Sequence, residues 1–374
     1  MSGLKRLLSA GVLLCFALAA PGLAAVGTVN PEGSTLVNTT LTSGDCLNLG
    51  TIITTSDDRY GIHSPGFLIT NGSTGVIETY GLRAWGMFAE DGSTALNSGA
   101  FTIETWGDSA HGMAASGDSE AENSGSIITH GTNAYGMFAT GSSDLVNHGS
   151  IVTNGVWGLG MNAAYGSSAF NDGSIATASD DAVGILVTLG STGENEGTIT
   201  TSGDRADGMS ASYSSSVTNS GSITTGGDYA TGMSASYGST AENTGSILTT
   251  GTGADGMHAA GDSSATNTGS IVTSGDEAVG MSATAPDTWA LNQGGGSIVT
   301  KGAGAHRMAA STGAHVENTA SIATSGDSAY GMSATAFSTA LNTGEITTSG
   351  AGSYGMFAEL ESSITNLGAD SIVT

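Results

Sequence analysis

Methionine is the residue that most constrains what this chain can fold into. Apart from Met1, every methionine falls in a single register with a spacing of 24 residues at most steps: Met87, Met113, Met137, Met161, Met209, Met233, Met257, Met281, Met308, Met332 and Met356. Ile62 and Ile185 fill the same register where Met is absent, and Gly precedes it everywhere except at Arg307. A fixed period of this length indicates a repeat architecture, so the 374 residues are not read as two or three separate domains.

Two further registers complete the repeat. The pattern Ile-x-Thr occurs fourteen times, from Ile52-x-Thr54 to Ile372-x-Thr374, and an Asn follows a small or apolar residue in segments such as Ala121-x-Asn123. Each unit therefore holds three short alternating segments, which is typical of strands with one buried face. Gly, Ser, Asn and Asp, which favour turns, lie between these segments.

These registers predict an all-β fold, a parallel β-helix of about 13 turns with three short strands in each turn of 24 residues. Met and Ile should stack into a continuous core that no single turn could bury alone. The Asn residues should form an amide ladder, and the regular Thr should point inward with the Ile of its strand. We expect right-handed coiling, because coils of this length suit right-handed solenoids better than left-handed hexapeptide ones. The predicted organisation is a signal peptide over 1–24, an N-terminal cap or leader over 25–47 and the β-helix over 48–374, truncated at its C-terminus.

The first segment has the features of a secretory signal. Lys5 and Arg6 precede an apolar stretch of about 14 residues that ends before Pro21, with cleavage expected after Ala24 or Ala25. The stretch is short for a membrane span. Its removal leaves Cys46 as the single thiol, so no intrachain disulfide is expected.

The charge balance excludes one class of partner. Acids outnumber Lys and Arg by 33 to 7, giving a net charge of −26. Five scattered bases in the mature chain cannot neutralise a run of phosphates, so nucleic acid is not an expected partner. The same excess of negative charge disfavours anionic lipid surfaces.

The repeat resembles the passenger regions of bacterial autotransporters. The opening of a unit is seen in Gly221-Ser222-Ile223-Thr224-Thr225-Gly226-Gly227-Asp228, and the resemblance extends from about residue 48 to the end. It implies a non-enzymatic passenger or stalk, surface-displayed or secreted, with a role in adhesion, and a host surface, a glycan or a second copy as partner. In that family a C-terminal membrane barrel follows the passenger. This sequence stops within a coil, so we expect membrane attachment only through a barrel that it lacks. The alternative is a secreted β-helix that binds glycans or cleaves polysaccharides.

Three sets of polar residues are candidate sites, and each also has a structural interpretation. Seven Asp recur at one turn position, where calcium binding competes with a turn role: Asp57, Asp108, Asp180, Asp204, Asp228, Asp276 and Asp327. The string Gly-Asp-Ser, as at Gly107-Asp108-Ser109, is similar to the nucleophile loop of chymotrypsin-like proteases but falls in the repeat's turns. The seven His have no metal-ligand spacing, and we expect them at solvent-facing or turn positions: His63, His111, His130, His148, His258, His306 and His315.

The few bases bear on the catalytic alternative. Cleavage of an acidic polysaccharide would need clustered carboxylates with a base nearby. Arg59 and Arg83 are expected on adjacent coils, and Lys301 and Arg307 on one coil, but neither pair lies in an evident acid cluster, and Arg205 stands apart. We therefore expect no catalytic, cofactor-binding or metal-binding residues and no cofactor.

Outward apolar residues are the remaining candidates for partner or glycan contact. They lie between Ile and Thr or directly after the Met register: Ile53, Ile128, Val152, Leu248, Val272, Val299 and Val373, with Phe88, Phe138, Leu186 and Phe357. Trp85, Tyr135 and Tyr354 head the three runs that end in Phe. High β-propensity on a sheet face explains the same residues without a partner. Thr200, Thr224 and Thr347 do not make the flat double row that ice binding needs. The ligand stays unknown at this stage.

Overall fold

Three parallel sheets wind into one solenoid. The computed structural model describes residues 26–98, 102–368 and 372–374, so the expected signal peptide over 1–24 lies outside the described residues. Within these ranges there are 43 strands, which follow one another along the chain in the order A, B, C, except that the first and last coils have no strand in sheet C. No helix among the described residues is long and apolar enough to cross a membrane. The predicted all-β parallel solenoid of about 13 turns with three strands per turn is confirmed.

Each sheet corresponds to one sequence register. Sheet A ends every strand on Asn: Val26–Asn30, Asp45–Asn48, Leu68–Asn71, Thr94–Asn97, Glu120–Asn123, Asp144–Asn147, Ser168–Asn171, Thr192–Asn195, Ser216–Asn219, Thr240–Asn243, Ser264–Asn267, Trp289–Asn292, His315–Asn318, Thr339–Asn342 and Ser363–Asn366. Sheet B carries the Ile-x-Thr register, with Leu36 at the Ile position of the first strand: Thr35–Val37, Thr51–Thr54, Val76–Thr79, Thr102–Thr105, Ser126–Thr129, Ser150–Thr153, Ser174–Thr177, Thr198–Thr201, Ser222–Thr225, Ser246–Thr249, Ser270–Thr273, Ser297–Thr300, Ser321–Thr324, Glu345–Thr348 and Ile372–Val373. Sheet C begins at the Met register: Ile62–His63, Met87–Glu90, Met113–Ser116, Met137–Thr140, Met161–Ala164, Ile185–Thr188, Met209–Ser212, Met233–Ser236, Met257–Ala260, Met281–Thr284, Met308–Ser311, Met332–Thr335 and Met356–Ala358.

The first coil begins ahead of residue 48. Val26–Asn30 and Thr35–Val37 pair in parallel with the next strands of sheets A and B, and Leu41 makes a bridge to Ile62. Cys46 lies buried in sheet A. Strands of sheets A and B therefore lie within residues 26–37 and 45–48, most of which belong to the segment 25–47 that the sequence predicts to be an N-terminal cap or leader.

The core is built from identical residues stacked in register. Met, Ile and Ala of successive coils are Cα partners, for example Met209 with Met233 and Ile223 with Ile247, and they form one continuous buried cluster. The Gly before each Met except Met308 permits this close stacking. A Cβ on Gly136 would lie 2.2 Å from Cγ2 of Ile151 and 2.7 Å from the carbonyl oxygen of Gly160.

The predicted Asn ladder is confirmed. Fifteen Asn from Asn30 to Asn366 are joined by side-chain amide bonds, each Nδ2 donating to the Oδ1 of the next coil at 2.6–2.9 Å. The regular Thr of sheet B is buried, as predicted. In nine coils its Oγ1 donates to the carbonyl oxygen five residues later, at 2.5–3.2 Å, and so ties sheet B to the start of sheet C.

Candidate binding face on sheet C

The outer face of sheet C carries most of the chemical variety of this repeat. Its side chains come from positions −2, +1 and +3 relative to the Met register, and most of them are half-buried against one another. The inward positions hold Met or Ile and mostly Ala in every coil, whereas the outward positions change along the rod. Aromatic residues occupy the first coils, small polar and acidic residues occupy the middle, and aromatic residues return near Tyr330. A binding function on sheet C would therefore depend on this face.

The first coils of this face hold a cluster of rings. It contains Tyr60, His63, Trp85, Phe88, His111, Tyr135 and Phe138, with neighbouring ring centroids 4.6–6.1 Å apart. Near the other end, Phe357 stacks on Tyr330 at 4.6 Å. The runs headed by Trp85 and Tyr135 are thus brought together. Their rings cover one another, so this cluster is largely closed.

Three histidines correct the expectation of solvent-facing or turn positions. His111 is buried, and desolvation lowers its pKa to about 3. Burial also lowers the pKa of His258 and of His306. The reason is positional, because these residues lie on the packed outer face of sheet C. The Nδ1 atoms of His111 and His306 accept the backbone N–H of Tyr135 and Tyr330 in the next coil, at 3.0 and 3.1 Å.

Four histidines pair with a neighbouring side chain. His63 meets Glu90 at 3.0 Å, His130 meets Glu104 at 2.9 Å and His148 meets Asp172 at 2.7 Å. His315 stacks on Trp289 with ring centroids 4.4 Å apart. Within the described residues no group of three His, Cys, Asp or Glu could hold a metal ion.

Two aspartates occupy position −2 in the middle of the face. Asp207 accepts the backbone N–H of Thr231 at 2.9 Å and the hydroxyl of Ser234 at 3.0 Å. Asp255 is bonded in the same way, to the N–H of Val279 at 2.9 Å and to the hydroxyl of Ser282 at 2.7 Å. Desolvation raises the pKa of Asp207 to about 7 and that of Asp255 to about 6. These carboxyls bond coil to coil while they titrate near neutral pH.

The recurring turn aspartates also join neighbouring coils. Each of the seven accepts, through Oδ1, a backbone N–H of the next coil at 2.8–3.0 Å. Asp108 and Asp327, which belong to Gly-Asp-Ser strings, are among them. These acids therefore lie in turns, as predicted, and their bonds run along the rod axis.

The arginines differ in their surroundings. Arg83 reaches back one coil to Asp58, with Nε–Oδ1 at 2.6 Å. Arg307 lies on one coil with Lys301, as expected, and is fully buried in the core, where burial lowers its pKa to about 9. Its place in the Gly position before the Met register explains this burial, because that position faces the interior. Among described residues only Nη1 has a partner, the carbonyl oxygen of Thr347 at 2.7 Å.

The outward apolar residues of sheet B do not form a continuous row. Ile128 and Val152 are partners, but the same column contains Glu104 on one side and Ala176 on the other. Thr200 and Thr224 are also neighbours in this column. The face of sheet B thus has short apolar stretches separated by polar ones.

The borders of sheet C hold the feature that sequence reasoning missed. In every coil from Ile62 to Met356 the residues four before and four after the Met register have positive φ. Gly, Asp, Asn, Ser or other modest residues occupy most of these positions. Four consecutive coils concentrate larger residues, with Trp157, Arg205 and Tyr229 beside Asp181 on one border and Tyr165, Leu189, Tyr213 and Tyr237 on the other. Sheet C between these two rows is called the bordered face.

The bordered face combines exposed rings with one ion pair. The six apolar and aromatic residues of its borders are 41–64% exposed. Arg205 donates two hydrogen bonds to the Asp181 carboxylate, from Nε at 2.8 Å and from Nη2 at 3.0 Å. This hydrogen bonding chiefly lowers the pKa of Asp181, with a smaller contribution from Trp157. The large residues four before and four after the Met register can be read from the sequence. Only the positive φ of these turns shows that large residues are unusual at those positions.

One protein family matches this chain. The sequence model of the BigA third pectate lyase-like domain matches residues 22–207, 158–294 and 284–370. The matches overlap, as a repeat allows, and together they run over most of the sequence. No curated protein and no solved structure matches.

Proposed function

The chain belongs to the family of the BigA third pectate lyase-like domain, and from that membership we propose that it is a non-enzymatic β-helical passenger or stalk that acts in adhesion. The family is one of β-helix domains found in bacterial surface proteins, which supports an exported rod, displayed at the cell surface or released. The autotransporter route is the finer part of this proposal. It rests on the resemblance of the 24-residue repeat to autotransporter passengers.

The observation that carries the proposal is the contrast between constant core and variable border. Thirteen coils at about 4.8 Å make a rod roughly 60 Å long, and its inward positions repeat almost without change. Among the described residues, aromatic rings at the two border positions of sheet C, such as Trp157 and Tyr237, occur only on the four neighbouring coils of the bordered face. Exposed apolar patches of this kind are typical of contact sites. The rod would hold this patch away from the cell.

Adhesion is tested with the purified chain immobilised on beads. We expect the beads to bind host epithelial cells, an abiotic surface or a second copy of the chain, and to lose that binding when Trp157 and Tyr229 are both changed to Ala. Trp106→Ala is the matched control, because Trp106 is also exposed but lies outside the bordered face. A chain that binds none of the three surfaces would refute the proposal.

A polysaccharide-cleaving enzyme is the second candidate, favoured by one observation. Asp207 and Asp255 titrate near neutral pH on one face, and two coils separate them by about 10 Å. Inverting glycosidases keep their two carboxyls about 6.5–9.5 Å apart. Both carboxyls here are occupied by bonds to the next coil, which supports the non-enzymatic proposal. Release of reducing sugar from a polysaccharide, abolished by Asp207→Asn, would favour the enzyme instead.

A further inference from the structure

The bordered face departs from the repeat in a way that the backbone does not require. Its eight border residues have φ between 54° and 58°. That left-handed conformation costs an ordinary residue about 1–2 kcal/mol, and bulky residues are rare in it. On the border that holds Tyr165 and Tyr237, the two preceding coils have Gly117 and Gly141 at this position, and the next coil has Gly261. Tyr and Trp at these positions carry that backbone cost, and their exposed rings are available to a partner outside the chain.

The rings are arranged to offer flat surfaces. Tyr213 and Tyr237 lie parallel, with centroids 4.9 Å apart and planes 5° from each other. Tyr229 lies over the backbone of Gly253, where a Cβ would be 2.7 Å from the ring atom Cε1. The missing side chain at Gly253 lets the ring pack on the main chain, while the residue stays 62% exposed.

Between the two rows of rings the floor is rich in hydroxyls. Outward positions of these coils hold Thr188, Ser210, Ser212, Ser234 and Ser236, all half-buried. Ser234 Oγ lies 2.9 Å from Ser210 Oγ. The Ser pair recurs between the coils of Met209 and Met233 at the coil spacing of about 4.8 Å, and the two coils before them add Asn162 and Thr188 beside the apolar Ala164 and Leu186. A ligand with a repeating structure can meet a polar outward group in each of the four coils.

Charge narrows the class of ligand. Apart from Asp207, the charged groups of the bordered face are Asp181 and Arg205, which neutralise each other. The chain as a whole carries −26, which repels a polyanion. A polycation would be attracted to acidic surface along the entire rod and would gain little from a site that holds Arg205.

A peptide ligand is disfavoured by the sheet itself. Extended peptides are commonly gripped by adding a strand to an open sheet edge. The strands of the bordered face, from Met161–Ala164 to Met233–Ser236, all have a hydrogen-bonded neighbour on each side. No backbone edge is available there.

We propose that the bordered face binds a neutral, extended glycan chain that runs along the rod axis. Sugar rings have one apolar C–H face, which stacks on aromatic rings such as Tyr229 and Trp157, and hydroxyls around their rim, which bond to the Ser and Thr of the floor. Four coils span about 19 Å, enough for several sugar units. This inference rests on the proposed adhesive function and names the chemistry of its target.

The test measures binding of the whole chain to soluble polysaccharides by affinity gel electrophoresis and calorimetry. The neutral probes are dextran, yeast mannan, mixed-linkage β-glucan and xyloglucan, with polygalacturonate as polyanion and chitosan as polycation. We expect binding to at least one neutral probe, weakened at least tenfold by Trp157→Ala with Tyr229→Ala and less than twofold by Trp106→Ala. Unchanged circular dichroism and urea midpoints confirm that the variants are folded.

Three results would overturn the inference: no binding to any neutral probe, equal or stronger binding to polygalacturonate or chitosan through the same residues, or equal weakening by Trp106→Ala. Gly253→Ala gives an independent check, because its Cβ displaces the Tyr229 ring and should weaken binding about as much as Tyr229→Ala. Gly304→Ala is the matched control, since Gly304 also has positive φ but a Cβ there meets only Glu277 Cγ, at 3.7 Å. Cell adhesion that depends on Trp157 without glycan binding would leave the adhesive function standing and remove the glycan.

Discussion

Arg307→Gly should stabilise the C-terminal coils. Arg307 stands where the neighbouring coils have Gly280 and Gly331, and its guanidinium is buried with Nε and Nη2 lacking any partner among described residues. A buried charge without a counter-charge is among the most costly features that a core can hold. The substitution returns this coil to the sequence of the rest of the repeat.

The magnitude follows from the burial of the guanidinium. Its pKa falls from 12.5 to about 9, and at about 1.4 kcal/mol for each pKa unit this is a folding cost of roughly 5 kcal/mol. The unfolded chain keeps its proton up to higher pH than the folded chain, so the cost is fully present below pH 9. Two effects reduce the gain in stability that the substitution brings. Loss of the Nη1 hydrogen bond to Thr347 costs about 1 kcal/mol, and the larger conformational entropy of Gly in the unfolded chain costs about 0.5–1 kcal/mol. The expected net gain is about 3 kcal/mol.

Native-state hydrogen exchange is the appropriate assay, because a solenoid is stabilised coil by coil and need not unfold in one step. Amides of Met308 and Met332 should exchange at least fiftyfold more slowly in Arg307→Gly, whereas those of Met209 and Met233 should not change. Arg307→Met, which removes the charge and keeps most of the stem, should give much of the gain. Gly331→Arg should do the opposite. If Arg307→Gly left exchange unchanged or made it faster, the buried charge would not be the cost assigned to it.

Three further outcomes follow from side chains that join the coils. Asp207→Asn should have no effect on the free energy of unfolding near pH 4 and should raise it by roughly 4 kcal/mol at pH 8, measured by urea unfolding. The pKa of the Asp207 carboxyl is raised from 3.8 to about 7 in the folded chain, so this carboxyl destabilises the fold increasingly as pH rises between those values. A difference that stays constant across pH would contradict this, and Asp228→Asn is the control. Asn195→Ala should lower the free energy of unfolding by about 2–5 kcal/mol, measured as a fall in urea midpoint. The substitution leaves the buried side-chain amides of Asn171 and Asn219 each without one hydrogen bond. A destabilisation no larger than that of Ser216→Ala would refute the ladder's role. Gly136→Ala should unfold or strongly destabilise its coil, since the added Cβ would lie 2.2 Å from Ile151 Cγ2, and unchanged exchange at Met137 would show that the coil can move aside.

The residues on the inner faces of the three sheets could be predicted from the sequence, because the same residue types recur at the same position of each repeat. A residue such as Met233 or Asn219 recurs at one spacing only if its surroundings recur, and stacked coils provide such surroundings. The parity of Ile-x-Thr likewise placed Thr225 inside. Burial and hydrogen bonding are set by position in the coil, so one unit predicted its neighbours.

The outward half was harder to predict, for a physical reason. Whether a side chain on the outer face is open or covered depends on residues 24 positions away, whose size changes from coil to coil. His111 is buried because Trp85 and Tyr135 lie on either side of it, and no local pattern around His111 states that. Arg307 was noticed as the exception to the Gly rule, but its burial required knowing that the Gly position faces inward. The large residues at ±4 were visible as letters, and only the positive φ of those turns marks them as unusual.

The corners of a β-solenoid are the positions where new contacts can arise at the lowest risk to the fold. A large residue at an inward position such as Ala211 would have to displace stacked neighbours, and a Cβ at a Gly position such as Gly136 would lie 2.2 Å from Cγ2 of Ile151 in the next coil. At the corners, side chains project from the prism, so the cost of Tyr213 or Trp157 is confined to its own backbone conformation, about 1–2 kcal/mol. Interior coils are supported by bonds to two neighbours through three sheets and the Asn ladder, and the turn aspartates add a bond in seven coils. Four adjacent coils can therefore bear eight strained corners, provided that the supporting ladders stay intact beneath them. Asn195→Ala should therefore weaken ligand binding at the bordered face indirectly, by destabilising its own coil, and the loss of binding should accompany a loss of hydrogen-exchange protection at the Met209 amide. In Tyr229→Ala, by contrast, binding should be lost while protection at Met209 stays unchanged.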